Sequence, residues 1–288
     1  MGKFASRETP LRNLDDKPRK TDDVPGGRMK DRRAEQSRFY DERRTKVDPA
    51  ASTEKGIKQQ SKWYSITKKS KKKVLELIEQ DAAGVTILDY CCGSGKIAIM
   101  VAEKTSCRII GIDISGVSIA NAAQSAADVG LTPSLDFLVM DAEKMTFDDG
   151  YFDVAYCVGA LHHLDIDAAY SELARVLKPG GKLIMNEPLV YNPLIHYYRK
   201  KTPHLRTEWE LDHILRKREI VRAREYFHDV NVIGFYHLFT IVAVFFKNTR
   251  FFPPVLKTMQ AIDSVVLKIP GVRWLAWQII YVAENPRS

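Results

Sequence analysis

The sequence predicts a doubly wound α/β fold around a mostly parallel sheet. Between residues 85 and 188, short apolar runs alternate with stretches whose apolar residues recur at helical spacing. Runs that are apolar throughout are typical of parallel strands buried on both faces, and the intervening helices fit right-handed crossovers. A glycine-rich turn follows the first run, at the position where this fold class binds its ligand.

The predicted elements follow one another in chain order. A lysine-rich helix comes first and ends near Gly84. The predicted strands are VTILDY, CRIIGID, SLDFLVMD, FDVAYCV and KLIMNEP, followed by VNVIGFYHLF and AWQIIYVAEN. The predicted helices are KIAIMVAEKT, SGVSIANAAQSAADVG and AAYSELARVLKPGG, with an amphipathic helix in PPVLKTMQAIDSVVLKIPG that Pro270 and Gly271 end.

The N-terminal arm, residues 1–60, is expected to be disordered. The first 73 residues carry 22 lysines and arginines against 11 acidic residues, so the net charge of +8 arises entirely from this part of the chain. Few large apolar residues occur in the arm, and such a segment cannot offset the entropy of ordering. Its acidic residues argue against a transit peptide, and no apolar stretch marks a secretory signal.

Residues 61–288 are expected to form one domain with two additions. A polar and aromatic insertion spans about 189–226, and an apolar helical segment spans about 238–270. The longest apolar run, at 238–246, is too short to cross a bilayer. Four cysteines in apolar surroundings indicate neither a disulfide framework nor a metal site, so we expect no metal and a cytoplasmic location.

The stretch ILDYCCGSGK, residues 87–96, contains the glycine-rich turn. Gly93, Gly95 and Ala98 give the pattern G-x-G-x-x-A, and Asp113 follows Gly93 by 20 residues, which together satisfy a dinucleotide-binding fingerprint. Asp89 opposes that interpretation, because its carboxylate would lie near a pyrophosphate; two like charges 4 Å apart cost about 4 kcal/mol at an effective dielectric of 20. The same carboxylate favours a cofactor that carries positive charge and no phosphate.

Five motifs in order resemble those of class I S-adenosylmethionine-dependent methyltransferases. They are LDYCCGSGK, GIDIS, VMDAEKM, FDVAYCVGALHHL and ELARVLKPGGKLIMNEP. Within that class the sequence is most similar to the small-molecule branch that includes ubiquinone and menaquinone methyltransferases. The resemblance implies an enzyme with a Rossmann-like seven-stranded sheet whose last strand is antiparallel, and S-adenosylmethionine as the cofactor.

The resemblance also implies which residues line the cofactor. These are Asp89, Cys91, Gly93, Gly95, Asp113, Ile114, Asp141, Ala142 and Cys157. Cys91 departs from the family, which usually has glycine there; because cysteine has a Cβ, we expect its φ to stay negative and the loop to shift. The alternative for Asp113 and Asp141 is that they cap the turns that follow.

Acceptor chemistry is expected after the fourth and fifth strands. His162, His163 and Glu187 are candidates for a catalytic base or an acceptor contact, with a purely structural role as the alternative. Candidates for binding the acceptor lie in the insertion and in an N-terminal lid: Tyr40, Tyr64, His196, Tyr197, Arg199 and Arg206.

Three classes of acceptor or partner remain open at this point. A small, partly hydrophobic metabolite is favoured by the motifs and the apolar C-terminal segment. There, Ile262, Val265 and Ile269 recur at helical spacing; we expect this face to pack on the core, with contact to a bilayer as the alternative. The run KKSKKK attracts any polyanion, but the Pro-Pro-Tyr motif of nucleic-acid amino methyltransferases is absent, so RNA is the second choice. A cofactor-binding partner without catalysis is the third.

Overall fold

A seven-stranded mixed sheet forms the centre of the protein. The structure is a computed structural model that describes residues 26–45 and 65–287. The strand order is β3-β2-β1-β4-β5-β7-β6. Strands β1 to β5 are mutually parallel, whereas β7 runs antiparallel to both β5 and β6. The predicted doubly wound fold with an antiparallel seventh strand is therefore confirmed.

The bounds of the elements lie close to the predicted runs. The strands are β1 Thr86–Tyr90, β2 Arg108–Asp113, β3 Leu135–Val139, β4 Phe152–Val158, β5 Leu177–Pro188, β6 Phe227–Tyr236 and β7 Gln278–Pro286. The α-helices are α1 Gly26–Thr45, α2 Lys68–Gln80, α3 Lys96–Ala102, α4 Gly116–Asp128, α5 Ile166–Val176, α6 Pro193–Lys201, α7 Glu208–His213, α8 Lys217–Arg222 and α9 Phe252–Val266. Short 3₁₀ helices include Leu161–His163 and Thr240–Phe246.

Both faces of the sheet are covered, which explains the continuous apolar strands. On one face, Ile87 of β1 packs in a cluster with Val74 and Ile78 of α2. On the other face, Leu88 packs in a second cluster with Tyr170 of α5. Successive strand residues point to opposite faces, so a strand buried on both sides must be apolar at every position.

The carboxyl edge of the sheet gathers the segments that the sequence linked to function. β5 and β6 end at the same edge, since Pro188 and Tyr236 both pair with Gln278 at the start of β7. The insertion that follows β5 and the segment 237–277 that follows β6 therefore leave the sheet beside the loops after β1, β2 and β4. Ligands bind at this edge in open parallel sheets.

Helix α1 lies within the arm for which disorder was expected, so that expectation does not hold for Gly26–Thr45. Partners in the core, described with the site, hold this helix in place. The remaining parts of the expected arm, residues 1–25 and 46–60, lie outside the described residues, as does Tyr64.

The expectation that the apolar face of the C-terminal helix α9 packs on the core holds only in part, because Phe252, Val255 and Leu256 pack against a core cluster and other apolar residues stay exposed. Within α9, all of whose residues are described, the fully buried residue is Asp263. Ile262 and Val265 are 37% and 65% exposed, and Ile269 just beyond the helix is 49% exposed. Among the described residues, no helix is both long and apolar enough to cross a membrane.

Candidate functional site

The glycine-rich loop after β1 adopts left-handed backbone conformations. Gly93 and Gly95 have φ values of 54° and 66°, and Cys91 has a φ of 62°. The expectation of a negative φ at Cys91 is therefore wrong. The loop is held from outside, because the Cys92 N–H donates to the Ile112 carbonyl at 2.8 Å. A Cβ on Gly95 would lie 2.7 Å from the Phe137 ring, so only glycine fits there.

Two carboxylates flank this loop. Asp113 at the end of β2 accepts hydrogen bonds from the Gly93 and Ser115 N–H groups, both at 2.9 Å. It thus connects the loop to β2 and caps the next turn, as the alternative for Asp113 expected. Each carboxylate oxygen can still accept a further hydrogen bond. Burial raises the pKa of Asp113.

Asp89 provides a test of whether a cationic cofactor fits here. Burial raises the pKa of Asp89 to about 7, although the Tyr156 hydroxyl acts in the opposite direction. Oδ2 of Asp89 is buried and, among the described residues, has no hydrogen-bond partner of acceptable geometry. A buried acceptor without a donor is costly, and a positively charged group would both satisfy it and favour its ionised form. The residues therefore fit a cationic ligand better than a pyrophosphate.

The loop after β3 contributes the third group of predicted cofactor residues. Asp141 accepts from the Glu143 N–H at 2.9 Å through Oδ1, and its Oδ2 lies 3.0 Å from Nη1 of Arg33. Ala142 is buried, and its carbonyl accepts from the Tyr90 hydroxyl at 2.8 Å. These residues lie beside the β1 and β2 loops, as the resemblance implied.

Glu187, at the end of β5, organises the loop that follows β4. Its Oε1 accepts from the Ala160 and Leu161 N–H groups at 2.9 and 3.0 Å, and its Oε2 lies 2.8 Å from Nδ1 of His162. The Cys157 thiol lies 3.6 Å from Oε1. Burial raises the pKa of Glu187 to about 7. Glu187 thus has the structural role that was its alternative, and it also orients an imidazole.

His162 is buried and His163 is partly buried. Burial lowers the pKa of His162 to about 3 and that of His163 well below its ordinary value. The rings are 4.1 Å apart, and Nε2 of His163 lies 3.0 Å from the Tyr40 hydroxyl. An imidazole with such a low pKa is a weak base. It is therefore better suited to hold an acceptor by hydrogen bonds than to remove a proton from it.

Helix α1 crosses the carboxyl edge and contacts every loop of the candidate site. One side of α1, with residues at three- or four-residue spacing, contacts the predicted cofactor loops. Arg33 pairs with Asp141, Ser37 donates to the Ile114 carbonyl, Asp41 accepts from the Ser115 hydroxyl, and Arg44 lies beside Gly93. The adjacent side of α1 faces the region of the predicted acceptor. Arg32 pairs with Glu143, Gln36 and Tyr40 form hydrogen bonds with His163, and Arg43 donates to the Leu205 carbonyl. Tyr40 was predicted; the other α1 residues were not.

Glu143 is the main anchor of α1. Its side chain is 1% exposed and pairs with both Arg32 and Arg33, the latter at 2.7 Å through Nη2. It also accepts from the Asp165 N–H at 2.8 Å. The sequence signal is the spacing of charged residues in DRRAEQSRFYDERR, which fits a helix face, but the small number of large apolar residues in the arm predicts disorder instead.

The insertion brings two of its four predicted residues to the site. Arg199 is buried and donates to the Leu189 carbonyl at 3.3 Å, and burial lowers its pKa to about 10. Arg206 pairs with Glu210 at 3.1 Å. The positive charges of Arg199 and Arg206 also help to lower the pKa of His162. His196 and Tyr197, by contrast, are exposed, Tyr197 by 64%, and the fold does not bring them to this group.

Two aromatic residues at the site were not predicted. Trp209 and His213 of α7 stack with their ring centroids 3.5 Å apart, and the Arg32 guanidinium lies 4.5 Å from the centre of the Trp209 ring. They join the insertion to α1 above the histidines.

Among the described residues, no His, Cys, Asp and Glu side chains are grouped as metal ligands.

Part of the sequence matches known proteins. Residues 87–181 match the family described as a methyltransferase domain. A segment of 105 residues is 36% identical to a sterol 24-C-methyltransferase of Saccharomyces cerevisiae, and a segment of 109 residues is 33% identical to a 27-O-demethylrifamycin SV methyltransferase of Amycolatopsis mediterranei. These segments cover 36% and 38% of this chain, and 27% and 40% of the two relatives.

The fold is also similar to that of solved structures. A geranyl diphosphate C-methyltransferase of Streptomyces coelicolor, solved with Mg²⁺, geranyl-S-thiolodiphosphate and S-adenosyl-L-homocysteine, aligns with a TM-score of 0.51 at 16% identity. The alignment covers 74% of this chain and 75% of that one. At this identity the likeness concerns the fold alone. The chain spans about a quarter to two fifths of the length of the curated relatives that it matches.

Proposed function

Because residues 87–181 form a methyltransferase domain with the class I fold, we propose that the chain transfers a methyl group from S-adenosylmethionine to a small-molecule acceptor. The predicted family and its cofactor agree with the matched domain. The observation that carries the proposal is the junction of the β1 and β2 loops, where Asp113 accepts from the Gly93 N–H and the buried Oδ2 of Asp89 has no hydrogen-bond partner of acceptable geometry among the described residues.

The residues that would hold the cofactor divide by chemistry. Asp89 and the loop of Cys91, Gly93 and Gly95 suit the positively charged methionine part. Asp113, with two acceptor oxygens, suits a pair of ribose hydroxyls. Asp141 and Ala142 follow β3, where the resemblance implies the adenine ring, and Ile114 and Cys157, at the ends of β2 and β4, are the remaining residues that it implies. When bound, S-adenosylmethionine supplies an electrophilic methyl group on a sulfonium that is a good leaving group.

On the acceptor side, this chain contributes positioning rather than a strong base. Glu187 fixes the His162 ring, and Tyr40 and Gln36 fix His163, so the two imidazoles present defined edges. Arg199 and Arg206 add positive charge beside them. Methyl transfer requires the acceptor atom to be held close and in line, and rigidly held polar groups achieve this. A deprotonation, if the acceptor needs one, falls to Glu187 or a histidine.

The acceptor that we propose is small and largely apolar. Two of the curated relatives are named for a sterol and for a rifamycin, which supports this class. The apolar residues of the C-terminal segment at the same edge of the sheet also support it. Such acceptors are often found in membranes, and we keep a cytoplasmic location with contact to a membrane surface as part of the proposal.

Cofactor binding can be tested by thermal unfolding with S-adenosylhomocysteine. A ligand at 100 times its Kd stabilises a folded protein by about 2.7 kcal/mol, so the melting temperature should rise. Asp113→Ala should abolish most of this rise, whereas Asp136→Ala, an exposed acid on the same sheet, should keep it. A rise with NAD but none with S-adenosylhomocysteine would refute the proposal.

The acceptor class can be tested with methyl-labelled S-adenosylmethionine and separate lipid, small-metabolite and RNA extracts. Label in the lipid or metabolite fraction supports the proposal. Label confined to RNA would contradict it and favour the basic arm as the binding element. Cofactor binding without label in any fraction would favour the non-catalytic partner.

A further inference from the structure

Helix α9 buries the carboxylate of Asp263 and leaves part of its apolar residues exposed. Asp263 accepts hydrogen bonds from the N–H groups of Leu238, Phe239 and Thr240 and from the Thr240 hydroxyl, between 2.5 and 3.2 Å. These bonds cap the 3₁₀ helix Thr240–Phe246 and fix the rotation of α9 about its axis. An amphipathic helix on a protein surface normally turns its apolar residues to the core, so the exposed Ile262 and Val265 need an explanation.

The outward apolar residues extend over both elements and the connection between them. We call them the C-terminal apolar surface: Phe245, Phe246, Phe251, Ile262, Val265 and Ile269, which are 36% to 75% exposed. On α9 the partly buried Phe252, Val255 and Leu256 pack against the 3₁₀ helix. By helical spacing Ile262 lies above Val255, at the margin of that packed face, and Val265 lies on the other side of α9. Single exposed apolar residues are ordinary, but six on two adjacent elements indicate a contact surface.

The charges around this surface are almost all positive. Residues 238–277 contain five basic residues and one acidic residue, and the acidic one is Asp263, which is buried. Lys247, Arg250, Lys257, Lys268 and Arg273 are the basic residues. The Arg250 guanidinium lies 5.0 Å from the centre of the Phe251 ring. Aromatic and aliphatic side chains next to lysine and arginine are typical of segments that lie in a membrane interface.

A cavity of about 320 Å³ opens beside α9, between this helix and β6. Lys69, Lys268 and Arg273 contribute to its lining, and the Asp263 carboxylate in its wall is already occupied by the N–H groups described above. The cavity thus offers cations to an anionic group.

From this pattern we propose that the C-terminal apolar surface docks on a bilayer that contains anionic phospholipids. The apolar side chains would enter the interface, and the five cations would meet the lipid phosphates. A second copy of the chain fits less well, because a symmetric contact would bring five cations against five with the one carboxylate buried.

The surface also lies at the edge of the sheet that holds the candidate site. Ile241 of the 3₁₀ helix packs in one cluster with Ile195 of α6, the first helix of the insertion. Docking would therefore bring the insertion close to the lipid, where an apolar acceptor could be collected. The docking itself does not depend on methyl transfer, so it can be tested without cofactor or acceptor.

The test is sedimentation of the full chain with phosphatidylcholine vesicles, with and without phosphatidylglycerol. The wild type should bind the anionic vesicles and keep measurable binding at raised salt, which screens charge but not apolar contact. Phe245→Ser combined with Val265→Ser should weaken binding about tenfold or more, given the apolar area lost. Val129→Ser, at an apolar residue that is 49% exposed at the opposite edge, should bind as the wild type does.

A second pair of variants tests the charge and guards against misfolding. Lys257→Glu combined with Lys268→Glu should also weaken binding to anionic vesicles, whereas Arg224→Glu at the opposite edge should not. All variants replace exposed side chains and should keep the wild-type melting curve. An apolar variant that binds like the wild type would overturn the proposal and assign vesicle binding to the basic arm.

Two further results would also overturn it. The first is absence of wild-type binding to either kind of vesicle. The second is a dimer in analytical ultracentrifugation that Phe245→Ser with Val265→Ser dissociates, without any vesicle binding. That result would make the surface a contact between two copies of the chain.

Discussion

At the scale of single residues, Cys91 carries the largest departure from the family pattern. Its φ of 62° lies in the left-handed region, which costs a residue with a Cβ roughly 1 kcal/mol or more. The bonds of the loop to β2 impose this conformation, so the glycine-like path is retained without glycine. The Cys91 side chain offsets part of this cost, because it packs against the core cluster on that face of the sheet.

Paired substitutions can measure the strain at Cys91. Cys91→Gly should be more stable than Cys91→Ala by about 1 kcal/mol, because both lose the sulfur but only alanine keeps the strained Cβ. At Cys157, which lies in the regular strand β4, the order should reverse, because glycine weakens a strand interior. Urea unfolding of the four variants measures both differences. Alanine more stable than glycine at both positions would show that Cys91 is unstrained.

Some site residues were predictable from the sequence because their chemistry is local. Asp89, Asp113 and Glu187 each end a strand, and strand ends follow from the apolar runs. Arg33 and Glu143 form one of the main contacts of the site, but the sequence did not predict it, because the two residues are 110 positions apart. Nothing in the spacing of either segment indicates its partner.

At the scale of elements, α1 is held by charge rather than by an apolar stripe. Its contacts are hydrogen bonds and ion pairs to the loops after β2, β3 and β4, and the Arg32 side chain is 3% exposed. Buried charges need a partner, since an unpaired one costs several kcal/mol. The docking of α1 therefore depends on Glu143, and an undocked α1 would return its arginines to water.

Glu143→Gln should release α1 from the site. Glutamine keeps the size of the side chain and can still accept from the Asp165 N–H, but it gives Arg32 and Arg33 no charge. We expect tryptic cleavage within α1 to accelerate about tenfold or more, which corresponds to at least about 1.4 kcal/mol of lost docking free energy. Mass spectrometry of the N-terminal fragments measures the rate.

The control for this experiment is Glu76→Gln on α2, which removes a more exposed acid from a surface pair. It should leave the cleavage of α1 unchanged. If Glu143→Gln is cleaved no faster than the control, α1 is held by its other contacts and the proposed role of Glu143 as its anchor is wrong.

At the scale of the whole molecule, buried titratable groups link stability to pH. The pKa of Glu187 rises from its ordinary 4.5 to about 7 in the folded chain, mainly because burial disfavours the carboxylate. Between these values the folded state holds a proton that the unfolded state has lost. The stability contributed by this group is complete below pH 4.5 and is lost as pH rises through 7.

Glu187→Gln should remove this pH dependence. The free energy of unfolding of the wild type, relative to that of the variant, should fall by about 3 kcal/mol between pH 4.5 and 8. Urea unfolding at several pH values measures both proteins, with Glu76→Gln as a variant that should keep the wild-type profile. Parallel curves for the wild type and Glu187→Gln would mean that Glu187 stays ionised in the folded chain.

The sequence by itself determined the α/β fold, the order of its strands and helices along the chain, the glycine loop and the acids at the strand ends. These features follow from the periodicity of apolar residues and from turn chemistry, which act over a few positions. The tertiary structure decided the rest: the docking of α1, the left-handed Cys91, the exposure of His196 and Tyr197, and the outward face of α9. Each of these depends on partners distant in sequence, such as Glu143 for Arg33 or Leu238 for Asp263, and local patterns contain no information about such partners.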